Sequence, residues 1–342
     1  MKELPGLIQS TVVSTRIRLA RNLADYPFPE RLTQAEAQKI IRAVRYELGQ
    51  MDLFDEYDIA RMPTSQATLL QEKHLISPAL IKNKEISAAF ITLDKSISVM
   101  VNEEDHLREQ YILQGFDLFK AYEKISDIDD FIGQNMNFAY DHRLGFLTAC
   151  PSNLGTGMRA SVMMFLPALS KSKKIETLIP KLKEMGMTVR GVFGEGSAAE
   201  GYMYQVSNDR TLGVSEREIL CAVEKTVEFL NDEEEDCLQK MLKEDGLRLK
   251  DVCLRSYGTL TNCAILPYEE LTQSLTRVRL GIALGFLRTS EKKLFDEFVW
   301  DMQPASFQLT HCEGDWTKNE IDAKRAEVVG SCLKELVERV VD

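Results

Sequence analysis

The hydrophobic period of this 342-residue chain changes once, and that change constrains the fold more than any other feature. Up to about residue 237, short apolar runs of strand length ("ISAAFITL", "SISVMV", "TVRGVFGEGS", "YMYQVSN") alternate with amphipathic helical stretches. From about residue 238 onward the pattern turns mainly helical, as in "YEELTQSLTRVRLGIALGFL" and "DAKRAEVVGSCLKELVERVV". The expectation is an α+β domain over 11–237 followed by a helical domain over 238–342, which a chain of this length can fill with two cores.

Local signals place the elements. Thr33 and Glu36 form a capping-box pattern ahead of a helix whose Ile40, Ile41, Val44 and Leu48 share a face. Ser215 and Glu218 repeat the pattern before a longer helix with Ile219, Leu220, Val223, Val227 and Leu230 on one side. A turn is expected near Asp94 and Lys95, between two strands. "RLGFLTAC" reads as a strand stopped by Pro151, and "MRASVMMFLPAL", opened by Arg159, as a buried helix. The acidic run Asp232 to Asp236 reads as a solvated helix face near the domain boundary.

Charge and motif content exclude several functions. With 42 basic against 53 acidic residues the net charge is −11, which argues against a broad basic face for nucleic acid. The seven cysteines include no CxxC pair and read as reduced thiols, with neither a disulfide frame nor a zinc site. No run of 18 apolar residues and no signal-like start is present, so a cytoplasmic protein without a membrane span is expected. GxxxxGK[ST], HExxH and the HRD/DFG pair are missing, and "GEGSAAEG" misses the GxGxxG spacing.

What remains is a set of arginines at element ends: Arg16, Arg18, Arg108, Arg159 and Arg190. Each alone could be a surface ion-pair partner. As a group they suit a triphosphate, because guanidinium groups pair bidentately with phosphate oxygens and keep their charge. Arg16 and Arg18 are two apart and point the same way on a strand, and a helix start at Arg159 would add backbone donors. "VNEEDHLR" delivers Glu103, Glu104, Asp105, His106 and Arg108 at the end of an apolar run.

In order and spacing, "STRIRLARN", "NEEDHLR", "CPSNLGTGMRAS" and "RGVFGE" resemble the motifs of the guanidino (phosphagen) kinases. "EKHLISP", "GTGMRASVMM", "GEGS" and "YQVSN" are similar to the bacterial protein-arginine kinase branch. The resemblance implies an antiparallel sheet flanked by helices and transfer of the γ-phosphoryl group of ATP to arginine side chains of proteins. Magnesium would be carried by the nucleotide, with no protein metal ligand. It also implies a homodimer through the helical domain and, by family analogy, an activator protein, Clp-type degradation and a role in stress response. Kinases of free guanidines carry a helical lid domain before STR-x-R; only "MKELPGLIQSTVV" stands before Ser14 here, which suggests an open site fit for protein substrates.

Residue by residue, the resemblance places Glu104 and Glu195 as the carboxylates flanking the substrate guanidinium, and Cys150 as a thiolate beside it. Arginine has a pKa above about 12, so such groups must orient it and help remove a proton. Nucleotide contacts fall on Ser14, Thr15, Arg16, Ile17 and Arg18; on His74 and Arg108; on Arg159, Ala160, Ser161, Val162 and Met163; and on Arg190, Gly191, Val192, Phe193, Gly194 and Glu195. Glu103 and Asp105, facing away from Glu104, would position a magnesium-bound water or pair with a basic neighbour.

One motif departs from the branch. Its R-D-x-x-R-A phosphoarginine-binding motif is "IDAKRA" here: Asp322, Arg325 and Ala326 are present, but Ile321 replaces the first arginine. The stretch is either a weakened regulatory pocket or an ordinary surface helix turn. Two other functions stay open, a kinase of a free guanidino compound and a non-catalytic phosphoarginine-binding adaptor.

Overall fold

The computed structural model describes residues 11–191, 200–289 and 291–340. In chain order its strands are β1 (Val12–Arg21), β2 (Phe54–Tyr57), β3 (Ala88–Thr92), β4 (Ile97–Val101), β5 (Leu107–Gln114), β6 (Tyr140–Asp141), β7 (Gly145–Phe146), β8 (Met158–Phe165), β9 (Met187–Gly191), β10 (Met203–Asn208), β11 (Leu287–Thr289) and β12 (Val337–Arg339). Eight of them form one sheet in the order β2-β3-β4-β5-β1-β8-β10-β9, antiparallel throughout. β6 with β7, and β11 with β12, make two small ribbons.

The helices of the sheet half are α1 (Gln34–Gly49), α2 (Thr64–Glu72), α3 (Pro78–Lys82), α4 (Leu118–Gly133), α5 (Pro167–Lys171) and α6 (Lys174–Glu184). α7 (Glu216–Asn262) leads into α8 (Tyr268–Ala283), α9 (Lys292–Asp301), α10 (Pro304–His311) and α11 (Lys318–Leu336). Both expected capping boxes form, Thr33 with Glu36 on α1 and Ser215 with Glu218 on α7. Each satisfies amides that a helix start otherwise leaves unbonded.

Strand alternation decides which side chains can reach a ligand. On β1, Thr15, Ile17 and Leu19 are buried, while Ser14, Arg16 and Arg18 are half-buried on the opposite face. Ile17 and Leu19 join the main core, where α1, α4, α6 and the first half of α7 cover one side of the sheet. The other side stays open in the middle. α2 and α3 close one end over Ala89, Ile91 and Met100, and at the opposite end Val13 and Phe165 meet Leu249, Cys253 and Leu280 of the helical half.

Three sequence expectations change. Residues 158–165 are a central strand, because β8 lies between β1 and β10 and carries apolar side chains on both faces. The alternation Met158, Arg159, Ala160, Ser161, Val162 gives way to an unbroken apolar run from Val162 to Leu166, which reads like a buried helix. Arg159 therefore works from a strand, without the amides of a helix start. Of "RLGFLTAC" only Gly145–Phe146 pairs as a strand. The Phe146 amide bonds the Gly155 carbonyl (2.8 Å) and the Leu147 amide the Ala139 carbonyl (2.9 Å), which folds the segment into a loop. Within the acidic run, Glu234 is fully buried, accepting the Ala168 and Leu169 amides (2.7 and 2.8 Å) at the start of α5. Burial pushes its carboxyl up to about 7.

In the helical half Leu271, Leu275 and Val278 pack with Phe295, Phe307 and Val329 into a separate core. The apolar stripe of α8 is thus largely consumed inside.

Candidate active site

The arginines of the sequence motifs gather on the open face of the sheet. Arg18 and Arg159 are direct cross-strand partners on β1 and β8, and Arg16 sits two residues along, opposite Ser161. Arg108 comes from β5 on the other flank of β1, opposite Ala20. Burial, then the charges of Arg108 and Arg159, lowers Arg16 to about 10, so it remains charged at neutral pH. Burial followed by Arg16, Arg108 and Arg159 holds Arg18 well below the ordinary guanidinium range, and its Nε is buried without a hydrogen-bond partner. Arg159 is lowered too, by burial and then by Arg190, which is exposed near the end of β9. Four cations confined together in this way make a polyanion site.

Facing them is the turn between β4 and β5, whose three acids have separate roles. Glu103 is buried, with Arg108 Nη1 at 2.6 Å and Ser77 Oγ donating at 2.5 Å. Burial raises its pKa, but the Arg108 charge and these hydrogen bonds outweigh that and hold the carboxylate below its usual range. Asp105 is also buried and accepts Asn22 Nδ2 (2.5 Å) and the Ala149 amide (2.7 Å). Glu104 between them is exposed. Partial burial, then Asp105 and Glu103, raises its pKa. With Arg18, Arg108 and Arg159 these acids line a cavity of about 130 Å³.

The turn is anchored by His106, fully buried, whose Nδ1 accepts the Leu23 amide (3.0 Å) while its Nε2 lies 2.9 Å from the Pro27 carbonyl. Asn22 Oδ1 accepts the His106 amide (2.9 Å), so the end of β1 fixes the acidic turn. Cys150 sits on the loop that Asp105 holds. Its thiol is within hydrogen-bonding reach of Glu104 and 3.0 Å from Ser152 Oγ. Gly157 follows on the same loop at φ +63°, where a side chain would strike the Ala20 carbonyl 2.6 Å away.

His74 lies farther along the open face, beyond Arg16, with burial and then Arg16 lowering it to about 4. Ser14, Ser161 and Met163 line the same recess. Thr15, Ile17, Ala160 and Val162 point the other way, into the core or its polar margin; Thr15 Oγ1 donates to the Gly115 carbonyl at 2.8 Å. Gly191 ends β9, and Val192, Phe193, Gly194 and Glu195 lie outside the described residues. Asn22 and Ser77 support the site without having been singled out in the sequence; "RN" at the end of β1 and serine before the "SP" helix start are unremarkable there.

Among the described residues no group of three or more His, Cys, Asp and Glu side chains could hold a metal ion. Glu103 and Asp105 are both engaged by protein partners.

Asp322 and Arg325 are not on a surface turn. Both are buried and paired; Arg325 Nη1 also donates to the Leu266 carbonyl (2.9 Å), with its guanidinium 5.1 Å from the Phe307 ring centre. Ala326 is buried beside them.

This fold is that of guanidino kinases of known structure. Lombricine kinase superposes with a TM-score of 0.59 at 28% identity, over 66% of this chain and 67% of its own. A duplicated taurocyamine kinase from Schistosoma mansoni gives 0.61 at 26%, over 71% of this chain and 36% of its own. The ATP:guanido phosphotransferase C-terminal catalytic domain matches residues 36–237, and the protein-arginine kinase McsB C-terminal domain matches 246–341. Protein-arginine kinases of Geobacillus stearothermophilus and Clostridium tetani are 40% and 38% identical over 94% of this chain and 90% and 95% of theirs. The chain belongs to the ATP:guanido phosphotransferase family, in its protein-arginine kinase branch.

Proposed function

We propose that the protein transfers the γ-phosphoryl group of ATP to the guanidinium of arginine residues in proteins. One observation carries the reading: Arg18, Arg108 and Arg159 meet Glu104, with Cys150 beside it, in one small open cavity. Anion-binding and guanidinium-binding groups are otherwise far apart in chemical preference, and phosphoryl transfer to arginine needs both at one point.

In the proposed reaction Arg16, Arg18, Arg108 and Arg159 hold the triphosphate and neutralise charge as the terminal group leaves, with Arg190 at the margin. Magnesium arriving with ATP would supply further neutralisation at the phosphates. Glu104 and, from the sequence motif, Glu195 flank the planar guanidinium, and the Cys150 sulfur stands beside it. A guanidinium nitrogen gives its proton to Glu104 and attacks the γ-phosphorus; the bond to the β,γ-bridging oxygen breaks and ADP leaves. Residues 11–237 act as the catalytic unit and 238–342 as the pairing and regulatory unit. The homodimer, the cytoplasmic setting, and the link to an activator, Clp-type degradation and stress belong to the same proposal, supported by the branch to which the chain belongs.

The test is incubation with ATP, casein and free arginine, followed by mapping of acid-labile phosphate. Phosphate on casein arginines is expected. Phosphate on free arginine alone would replace protein substrates by a free guanidine, and none on either would leave a phosphoarginine-binding adaptor.

A further inference from the structure

The recess beyond Arg16 has a volume of about 610 Å³, within the range of small-molecule sites. Its near wall is the sheet, through Ser14, Arg16 and Ser161. Its far wall is not. Lys293, Glu297, Trp300 and Asp301 line it from α9, which belongs to the helical half. The Trp300 indole meets the His74 imidazole edge to face, with ring centres 5.0 Å apart and planes at 81°.

Three successive residues of the sheet half grip this corner. Glu72 accepts the amides of Ala305 and Ser306 at the start of α10, both at 2.9 Å. Lys73 Nζ reaches Asp301 at 3.2 Å, and His74 stands on Trp300. His74 holds a left-handed backbone (φ +56°), a conformation that costs energy in a residue with a side chain, and Gln110 Nε2 fixes its carbonyl at 2.5 Å. Its Nε2 is buried and has no hydrogen-bond partner. A neutral ring on a strained backbone, with an unbonded buried polar atom at the edge of this recess, is arranged to receive something.

The direction of the recess says what. Phosphates bound on Arg16, Arg18, Arg108 and Arg159 meet Glu103, Glu104 and Asp105 at one end, where the reacting arginine must enter. Among the described residues, the recess past Arg16, toward His74 and Trp300, offers the nucleoside a path. We infer that Trp300 forms the far wall of the base subsite, so that bound nucleotide touches both the sheet half and the helical half. This rests on the nucleotide reading of the arginine cluster. Base–aromatic packing at such a wall is lost when the ring is removed, while the phosphate contacts remain.

The test uses the full chain and two probes, ADP and tripolyphosphate, the second lacking a base. Trp300→Ala should weaken ADP about tenfold in calorimetry and raise the KM for ATP similarly, with kcat at saturating ATP changed less than about threefold. Tripolyphosphate affinity should not change, and Trp300→Phe should restore most of the ADP affinity. The chain has two tryptophans, so in a Trp316→Phe background the emission of Trp300 should move on ADP addition, a readout that survives if Trp300→Ala misfolds. Unchanged ADP affinity in Trp300→Ala, equal weakening of both probes, or an emission indifferent to saturating ADP overturns the inference. If tripolyphosphate binds the unaltered chain as tightly as ADP, the arginine reading stands and the base wall falls. If neither binds, both fall.

Discussion

Arg18 on β1 and Arg159 on β8 stand directly opposite each other in the sheet register, two like charges where cross-strand pairs ordinarily attract. Burial and neighbouring arginines disfavour both charged forms, so the empty site strains the fold that carries it. Arg18→Met should therefore stabilise the nucleotide-free protein, by about 1–2 kcal/mol. ATP at a hundred times its Kd should stabilise the unaltered protein by about 2.7 kcal/mol, and this gain should vanish in the variant. Thermal melts with and without ATP decide it; a variant that melts lower and still responds to ATP would refute the account.

A second prediction concerns Asp105. Its carboxylate bonds the amide of Ala149, the residue before Cys150, and thereby ties the Glu104 turn to the thiol loop. Asp105→Ala should cut turnover at least about tenfold by loosening this geometry, with ADP affinity almost unchanged. The fold should lose about 1–3 kcal/mol from the stranded amides. Equal loss of ADP binding would show that Asp105 serves the nucleotide side instead.

Glu104 must be ionised to accept a proton, and partial burial with Asp105 and Glu103 nearby raises its pKa. Turnover should consequently fall as pH drops, beginning above the range of an ordinary glutamate. Asp105→Asn removes one of those charges and should move this acid limb to lower pH. Glu104→Gln should cost roughly 10²-fold or more in turnover at every pH. A pH–rate profile whose acid limb persists unchanged in Glu104→Gln would assign the limb to another group.

Two buried histidines lower the stability in acid, against Glu234, whose raised carboxyl acts in the opposite sense. Burial lowers His106, and burial with Arg16 lowers His74, each to about 4. An unfolded histidine titrates near 6.5, so the unfolded chain binds more protons between those values. The histidine share of stability should be full above about pH 6.5 and be lost as pH drops toward 4, by on the order of 2 kcal/mol for His106. Urea titrations at several pH values test this, and His106→Asn should flatten the slope. A slope left unchanged in His106→Asn would contradict the neutral form assigned to His106.

The sequence made the alternating face of β1 readable, since Arg16 and Arg18 alternate with the apolar Ile17 and Leu19. The capping boxes were equally plain, because Thr33–Glu36 and Ser215–Glu218 act over three residues. Met158 to Phe165 misled because the unbroken apolar run Val162 to Leu166 hides the short alternation before it. Glu234 looked like its solvated neighbours, and only the orphan amides of a distant helix start distinguish it. Contacts such as Lys73–Asp301 join residues 228 apart, and no local pattern announces them. Glu104, Cys150 and the arginines were located by motif order, while the division of labour among Glu103, Glu104 and Asp105 emerged from their hydrogen bonds.

The strand order has a consequence for how the protein is made. β1, early in the chain, lies in the middle of the sheet between β5 and β8. Its partners follow about 90 and 140 residues later, so synthesis must run well past β8 before Arg18 and Arg159 can meet. Closing such long loops is slow. The nascent chain passes through a stage in which an apolar strand waits without neighbours, open to the wrong partner, and the anion site is among the last features to be completed. An enzyme built this way cannot act on anything, including its own unfinished copies, until its sheet has closed.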